Sequence, residues 1–182
     1  FEVWSNAWYG GFHLPGYSLL FPPLASLIGI RLVGAISVVV AAGLFAALVR
    51  PHYGDRARLA VWLFGLGAAT NLFTGRLTFA LGVAVALGAL LALDRGRPAL
   101  AVVLAVLTPA ASPVAGLFLA FAAGVLLVTG RRRDGLVLGV PALAATALLA
   151  LAFPTGGFGP FEANTFALIS AATLILVAVL PS

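Results

Sequence analysis

The sequence predicts an all-α protein, a polytopic transmembrane helical bundle of about seven spans plus an outer juxtamembrane or re-entrant segment. Of its 182 residues, 63% are hydrophobic and only 8% are charged, whereas soluble domains are about half apolar and about a quarter charged. The mean hydropathy is +1.17. The apolar runs are long and lack the period-2 alternation of barrel strands. Helices are then the structure that satisfies the backbone inside a bilayer.

The first part of the chain, residues 1–29, is predicted to be an outer loop and juxtamembrane segment. Residues 1–17 are aromatic and nearly uncharged, as segments in the membrane interface often are. Residues 18–29 are apolar but too short to span, and the pair Pro22-Pro23 interrupts them. Because the chain begins at Phe1 and ends directly after an apolar run, we expect a fragment of a longer protein, with 1–182 as a single transmembrane domain.

The remainder, residues 30–182, is predicted to be the helical bundle. Its apolar segments suit a hydrocarbon core about 30 Å thick, and they are separated by arginine-containing loops or by turns rich in proline and glycine. The second and fourth segments are short enough to be half-helices. The predicted spans are 30–49, 59–70, 76–93, 99–107, 114–129, 136–153 and 165–180.

The arginines are concentrated in every second loop between the predicted spans. All ten basic residues are arginines, and the loops 50–58, 94–98 and 130–135 contain all of them except Arg31 and Arg76. Such a bias marks cytoplasmic loops. The same pattern explains the net charge of +5 as a topology signal, so no nucleic acid is predicted as a partner.

The predicted location is therefore the cell membrane, as a multi-pass protein. Its arginine-rich loops are expected in the cytoplasm, and its N-terminal aromatic segment and the 154–164 loop are expected outside. Small residues recur every fourth position in two spans and predict close helix packing. These stripes are Ala80, Ala84, Gly88 and Ala92, and Ser112, Gly116, Ala120 and Gly124.

The outer face gathers the polar and aromatic side chains that a sugar or phosphate site needs. Glu2 and Glu162 are candidate catalytic groups because a carboxylate can accept a proton. Arg31 and Arg76 suit a phosphate at headgroup depth, because a guanidinium forks onto oxyanions. The alternative is that these residues are interface anchors and snorkelling side chains. The candidate substrate-binding residues are Tyr9, His13, Tyr17, Asn71 and Arg76.

Other chemistries find less support in the sequence. His13 and His52 fall on opposite predicted faces and no metal-ligand spacing occurs, so no metal is assigned and the cofactor stays open. Ion-coupled carriers usually place ionisable residues in mid-span, and the predicted spans contain none at that depth. This weakens a proton- or ion-coupled transporter.

Four stretches carry a resemblance to a known family. They are NAWYGGFHLPGYSLLFPPL (6–24), TGRLTFALGVAVALGALLALDRGRP (74–98), ASPVAGLFLAF (111–121) and FPTGGFGPF (153–161). Together they resemble multi-pass membrane proteins of actinobacteria that are related to the GT-C class of polyprenyl-phosphate-dependent glycosyltransferases.

The resemblance implies a lipid-linked sugar donor whose phosphate is held by arginines, with an acidic base in the first outer loop. The acidic pair usual in that loop would lie just upstream of Trp4, where this sequence has only Glu2. Under this hypothesis Glu2 or Glu162 is the base and Arg76 holds the phosphate, while Tyr9, His13 and Tyr17 position the substrate. The partners would be membrane lipid and the polyprenyl-phosphate sugar donor.

Two other hypotheses remain open. A multi-pass membrane transporter or lipid carrier would have a cavity near the bilayer midplane, lined by discontinuous helices. Its helix breaks would fall near Thr70-Asn71 and Thr108-Pro109. A non-catalytic membrane scaffold would have no pocket.

Overall fold

The computed structural model describes residues 18–152, together with Ala167 and Ala171, and this part of the chain is helical without strands. A 3₁₀ turn, Gly54–Arg56, joins the second and third helices. The helices are α1 (Phe21–Ile28), α2 (Ile30–Tyr53), α3 (Ala57–Phe73), α4 (Leu77–Asp94), α5 (Pro98–Ala111), α6 (Pro113–Val128) and α7 (Arg132–Ala152).

The all-α prediction is confirmed for the described residues, whereas the count of seven spans is not. Helices α2 to α7 correspond in order to the first six predicted spans, and the seventh prediction, 165–180, lies outside the described residues. Within the described residues, three helical segments are long and apolar enough to cross a membrane: Ile30–Phe73, Leu77–Asp94 and Arg132–Ala152.

The first of those segments folds back on itself and makes two passes of the bundle. The rings of Phe45 in α2 and Phe64 in α3 stack with their centroids 4.3 Å apart. Gly54, with φ 55, lies at the reversal, where glycine adopts a positive φ without the strain that a side chain would add. Ile30–Phe73 is therefore a hairpin of α2 and α3, although its helical residues are almost continuous.

The helices extend beyond several predicted ends. Pro51 lies within α2 and Arg132 begins α7, so the predicted loops 50–58 and 130–135 are partly helical. Pro22 and Pro23 lie in the first turn of α1 rather than interrupting it. Proline suits that position, since the first-turn amides have no helical partner to lose.

Small residues let the helices of the bundle pack closely, as the first stripe predicts. Ala80, Ala84 and Ala92 of α4 are buried, and Gly88 faces Leu104 of α5. A cluster of buried residues from α4 to α7 forms the centre of the core. Its members are Ala89, Ala92, Ala101, Ala105, Leu119, Ala123, Leu138 and Ala142.

The second stripe is correct only at its start. Ser112 and Gly116 are buried, but the buried face of α6 continues through Leu119 and Ala123, and Gly124 faces open space. A strict spacing of four drifts away from a face that repeats every 3.6 residues, which explains the error at the end of the stripe.

The bundle has two ends with different composition. One end, called here the arginine-rich end, contains the connections at 54–56, 95–97 and 129–131. His52 at the end of α2 lies there beside Asp94 at the end of α4, with Nε2 and Oδ1 3.9 Å apart. The other end, called here the groove end, contains residues 18–20, the turn 74–76 and Ser112.

Candidate functional site

A groove opens at the groove end, between the first turns of α4 and α6. Its volume is about 540 Å³, a size typical of small-ligand clefts. Two connections and two helices contribute to its wall. The lining residues are Gly75, Arg76, Thr78, Phe79, Ser112, Val114 and Phe118.

The turn between α3 and α4 places Arg76 in this groove. Gly75 has φ 71, and the amide of Arg76 donates to the carbonyl oxygen of Asn71 over 3.0 Å. This glycine-centred arrangement ends α3 by satisfying its last carbonyls. Arg76 then lies immediately before the first residue of α4.

Arg76 brings a positive charge that no carboxylate neutralises in the described part of the chain. The ion pairs within residues 18–152 are His52–Asp94 and Arg131–Asp134, and both lie at the arginine-rich end. A guanidinium presents five donors in a planar fork that matches phosphate oxygens. The groove therefore combines a confined volume with a cation suited to an oxyanion.

Both helices that border the groove present their N-terminal ends to it. Within the described residues no side chain caps the first turn of α4. At α6 the hydroxyl of Ser112 accepts from the amide of Ala115 over 3.5 Å, and Pro113 occupies the first turn. Helix N-termini carry partial positive charge and exposed amides, so their field has the same sign as that of Arg76.

Aromatic and aliphatic side chains form the remaining wall. Phe79 of α4 and Phe118 of α6 meet edge to face, with ring centroids 6.0 Å apart and an interplanar angle of 62°. Val114 lies one turn before Phe118 on the same side of the groove. The groove is thus cationic near Arg76 and apolar near Phe118.

Next to the groove, α4 and α6 approach each other closely at Gly82. A Cβ atom built on Gly82 would lie 2.6 Å from the Cβ of Ala115 and 2.9 Å from that of Ser112. Only glycine permits this approach without movement of a neighbour. The contact involves Ser112, which also lines the groove.

The chain before α1 is fixed beside the groove. The hydroxyl of Ser18 donates to the carbonyl oxygen of Ala111 over 2.7 Å and is buried. The amide of Leu19 donates to the carbonyl oxygen of Ala110, also over 2.7 Å. These bonds satisfy the C-terminal carbonyls of α5, which have no helical partner, and they hold residues 18–20 next to Ser112.

The structure separates the predicted site residues. Arg76 lines the groove. The side-chain amide of Asn71 instead donates, through Nδ2, to the carbonyl oxygen of Ala68 in the same helix over 3.0 Å. The backbone carbonyl oxygen of Asn71 accepts from the Arg76 amide and so shapes the turn before Arg76. Asn71 is not among the lining residues. Arg31 is exposed at the start of α2 and does not line the groove. The predictions for Glu2, Tyr9, His13, Tyr17 and Glu162 lie outside the described residues.

Sequence reasoning missed the partners of Arg76 in the groove, namely Thr78, Phe79, Ser112, Val114 and Phe118. One local signal was present, since Ser112-Pro113 is the start pattern of a helix. Nothing local in the sequence indicates that this helix start lies against the first turn of α4. No group of three His, Asp or Glu side chains suited to a metal ion occurs within residues 18–152.

Comparison of the chain with protein-family models, with curated proteins and with solved structures gives no match.

Proposed function

We propose that the chain is an integral membrane glycosyltransferase that binds the phosphate of a lipid-linked sugar donor in the groove. The observation that supports this best is the position of Arg76, in a groove bordered by two helix N-termini and an apolar wall. The resemblance to the GT-C class supplies the reaction type. The distribution of arginines supports an outward orientation of the groove end.

The proposed reaction transfers a glycosyl group from the donor phosphate to an acceptor hydroxyl. A carboxylate, Glu2 or Glu162, takes the proton of the acceptor hydroxyl as its oxygen attacks the anomeric carbon. The bond between that carbon and the phosphate oxygen breaks, and the lipid phosphate leaves with the electron pair. Arg76 stabilises the charge that develops on this leaving group. Tyr9, His13 and Tyr17 would position the sugar or the acceptor.

The transporter or lipid-carrier alternative loses two of its expected features. Thr70-Asn71 and Thr108-Pro109, predicted as helix breaks, lie inside α3 and α5. Pro109 lies inside α5, near its C-terminal end, and the interruption comes at Ser112. The groove also lies at the starts of α4 and α6, at one end of the bundle, whereas a carrier needs a cavity near the midplane.

The test is a sugar-transfer assay with a polyprenyl-phosphate sugar donor and protein reconstituted in vesicles. Replacing Arg76 by Ala removes charge-assisted hydrogen bonds worth about 1.5–3 kcal/mol, so transfer should fall by about ten- to a hundredfold. Arg31→Ala is the matched control at the same end of the bundle, and it should stay within about twofold of the unmodified protein. Equal activity of both variants would contradict the assignment of Arg76.

A further inference from the structure

The outer side of the groove belongs to the surface that meets lipid in a membrane bundle. Val114 and Phe118 are 52% and 62% exposed, although both line the groove. Their neighbours Ala115 and Leu119 point into the core. In a bilayer, exposed apolar residues on such a helix contact hydrocarbon. The groove is therefore bounded on this side by residues that can contact its ligand and the surrounding lipid.

The cationic part and the apolar part of the groove together favour an amphiphilic ligand. Arg76 and the hydroxyl-bearing Ser112 and Thr78 lie in the same groove as the apolar wall. A soluble phosphate would pair with Arg76 but leave Phe118 uncovered. A lipid phosphate satisfies both parts, since its anionic head pairs with the guanidinium and its first carbons cover the aromatic ring.

The close contact of α4 with α6 limits where the lipid chain can lie. Gly82 packs against Ser112 and Ala115, so α4 and α6 leave no room for a lipid chain at that contact. Phe79 supports Phe118 from the α4 side through their edge-to-face contact. The exposed side of α6, where Val114 and Phe118 line the groove, is the surface that the chain would follow.

We infer that Phe118 is the specificity-determining residue that contacts the lipid chain of the donor next to its phosphate. This inference rests on the proposed function for the phosphate but not for the sugar. The recognised ligand is a lipid-linked phosphate with an extended apolar chain.

Binding of two phosphates to the purified protein in detergent separates the two parts of the groove. Farnesyl phosphate carries the apolar chain, and methyl phosphate does not. Phe118→Ala should raise the Kd of farnesyl phosphate by about tenfold and leave that of methyl phosphate within about twofold. Phe121→Ala is the matched control, because Phe121 is 73% exposed on the same helix and does not line the groove.

A loss for both phosphates in Phe118→Ala would indicate a general disturbance of the groove and would overturn the inference, as would no loss for either. The same holds if Phe121→Ala weakens farnesyl phosphate equally, since the effect would then be partitioning into the lipid-facing surface.

A second measurement does not depend on a substitution. A lipid phosphate with a diazirine on the carbon next to the phosphate, in phosphatidylcholine vesicles, should cross-link mainly to residues 114–118. Even labelling of all lipid-facing helices would contradict a lipid chain held against Phe118. Sugar transfer lost in Arg76→Ala, with farnesyl phosphate binding unchanged in Phe118→Ala, would overturn this inference alone. Phe118-dependent binding without any sugar transfer would overturn only the proposed reaction.

Discussion

The two ends of the bundle differ in how their polar groups are held. At the arginine-rich end, the contact between His52 and Asp94 is long, and the two side chains are 57% and 34% exposed. At the groove end, the hydroxyl of Ser18 is buried against the carbonyl oxygen of Ala111, and α4 and α6 approach to the limit that Gly82 allows. Exposed charged pairs contribute little to the free energy of folding, whereas buried hydrogen-bonded groups and closely packed helices hold a fixed geometry. The comparison indicates that the groove end has the more rigidly held geometry.

The largest expected effect is at the helix contact beneath the groove. Gly82→Leu places a side chain where a Cβ alone would lie 2.6 Å from Ala115, and such overpacking costs about 3 kcal/mol. Gly124→Leu is the control, because Gly124 has nothing within 4 Å of a built Cβ. Thermal unfolding in detergent should show a clearly lower Tm for the first variant only. Similar Tm values would mean that α4 and α6 do not approach this closely.

An intermediate effect is expected where the chain is fixed beside Ser112. Ser18→Ala removes a buried hydrogen bond and leaves the Ala111 carbonyl oxygen with one donor fewer, at a cost of about 1–2 kcal/mol. Ser26→Ala provides the comparison, since the Ser26 hydroxyl bonds to Pro23 at an exposed site. The free energy of unfolding measured in mixed micelles should fall for Ser18→Ala and stay nearly constant for Ser26→Ala. A reversed order would show that the buried hydrogen bond of Ser18 does not fix the chain beside the groove.

The smallest effect is expected at the arginine-rich end. His52→Ala should change the free energy of unfolding by less than about 0.5 kcal/mol, because exposed ion pairs are weak and screened. A double-mutant cycle with Asp94→Ala isolates the interaction of the two side chains. A coupling above about 2 kcal/mol would show that this end, too, is held by a specific polar contact.

The sequence predicted the order of the helices well because the apolar runs and arginine loops are local signals. Helix ends were less predictable. Pro109 was expected to break the chain, but α5 continues to Ala111. Arg132 was placed in a loop, but it begins α7, where Asp134 lies in the first turn and accepts from Arg131 over 2.9 Å. An acidic residue in a first turn favours a helix start.

The candidate site was predictable only at Arg76. Its charge at the end of a span is a feature of one segment, and the resemblance also points to arginine as the phosphate ligand. The groove depends instead on the approach of Gly82 to Ser112 and Ala115. These two residues lie far from Gly82 in the sequence. Phe118 looked like any other apolar residue of α6. Which apolar residue lines a groove is decided by tertiary packing and not by its own helix.

The central claim is that the groove end and the arginine-rich end lie on opposite sides of the membrane, with the groove outside. The sequence contains no cysteine, so single cysteines can be introduced without background. Thr74 and Thr129 form a matched pair, because each follows the last residue of a helix and donates to the carbonyl oxygen four residues earlier.

A membrane-impermeant maleimide applied to intact cells tests this directly. It should label Thr74→Cys, and it should label Thr129→Cys only after the membrane is permeabilised. Labelling of both variants in intact cells, or the reverse pattern, would contradict an outward-facing groove and the donor site proposed within it.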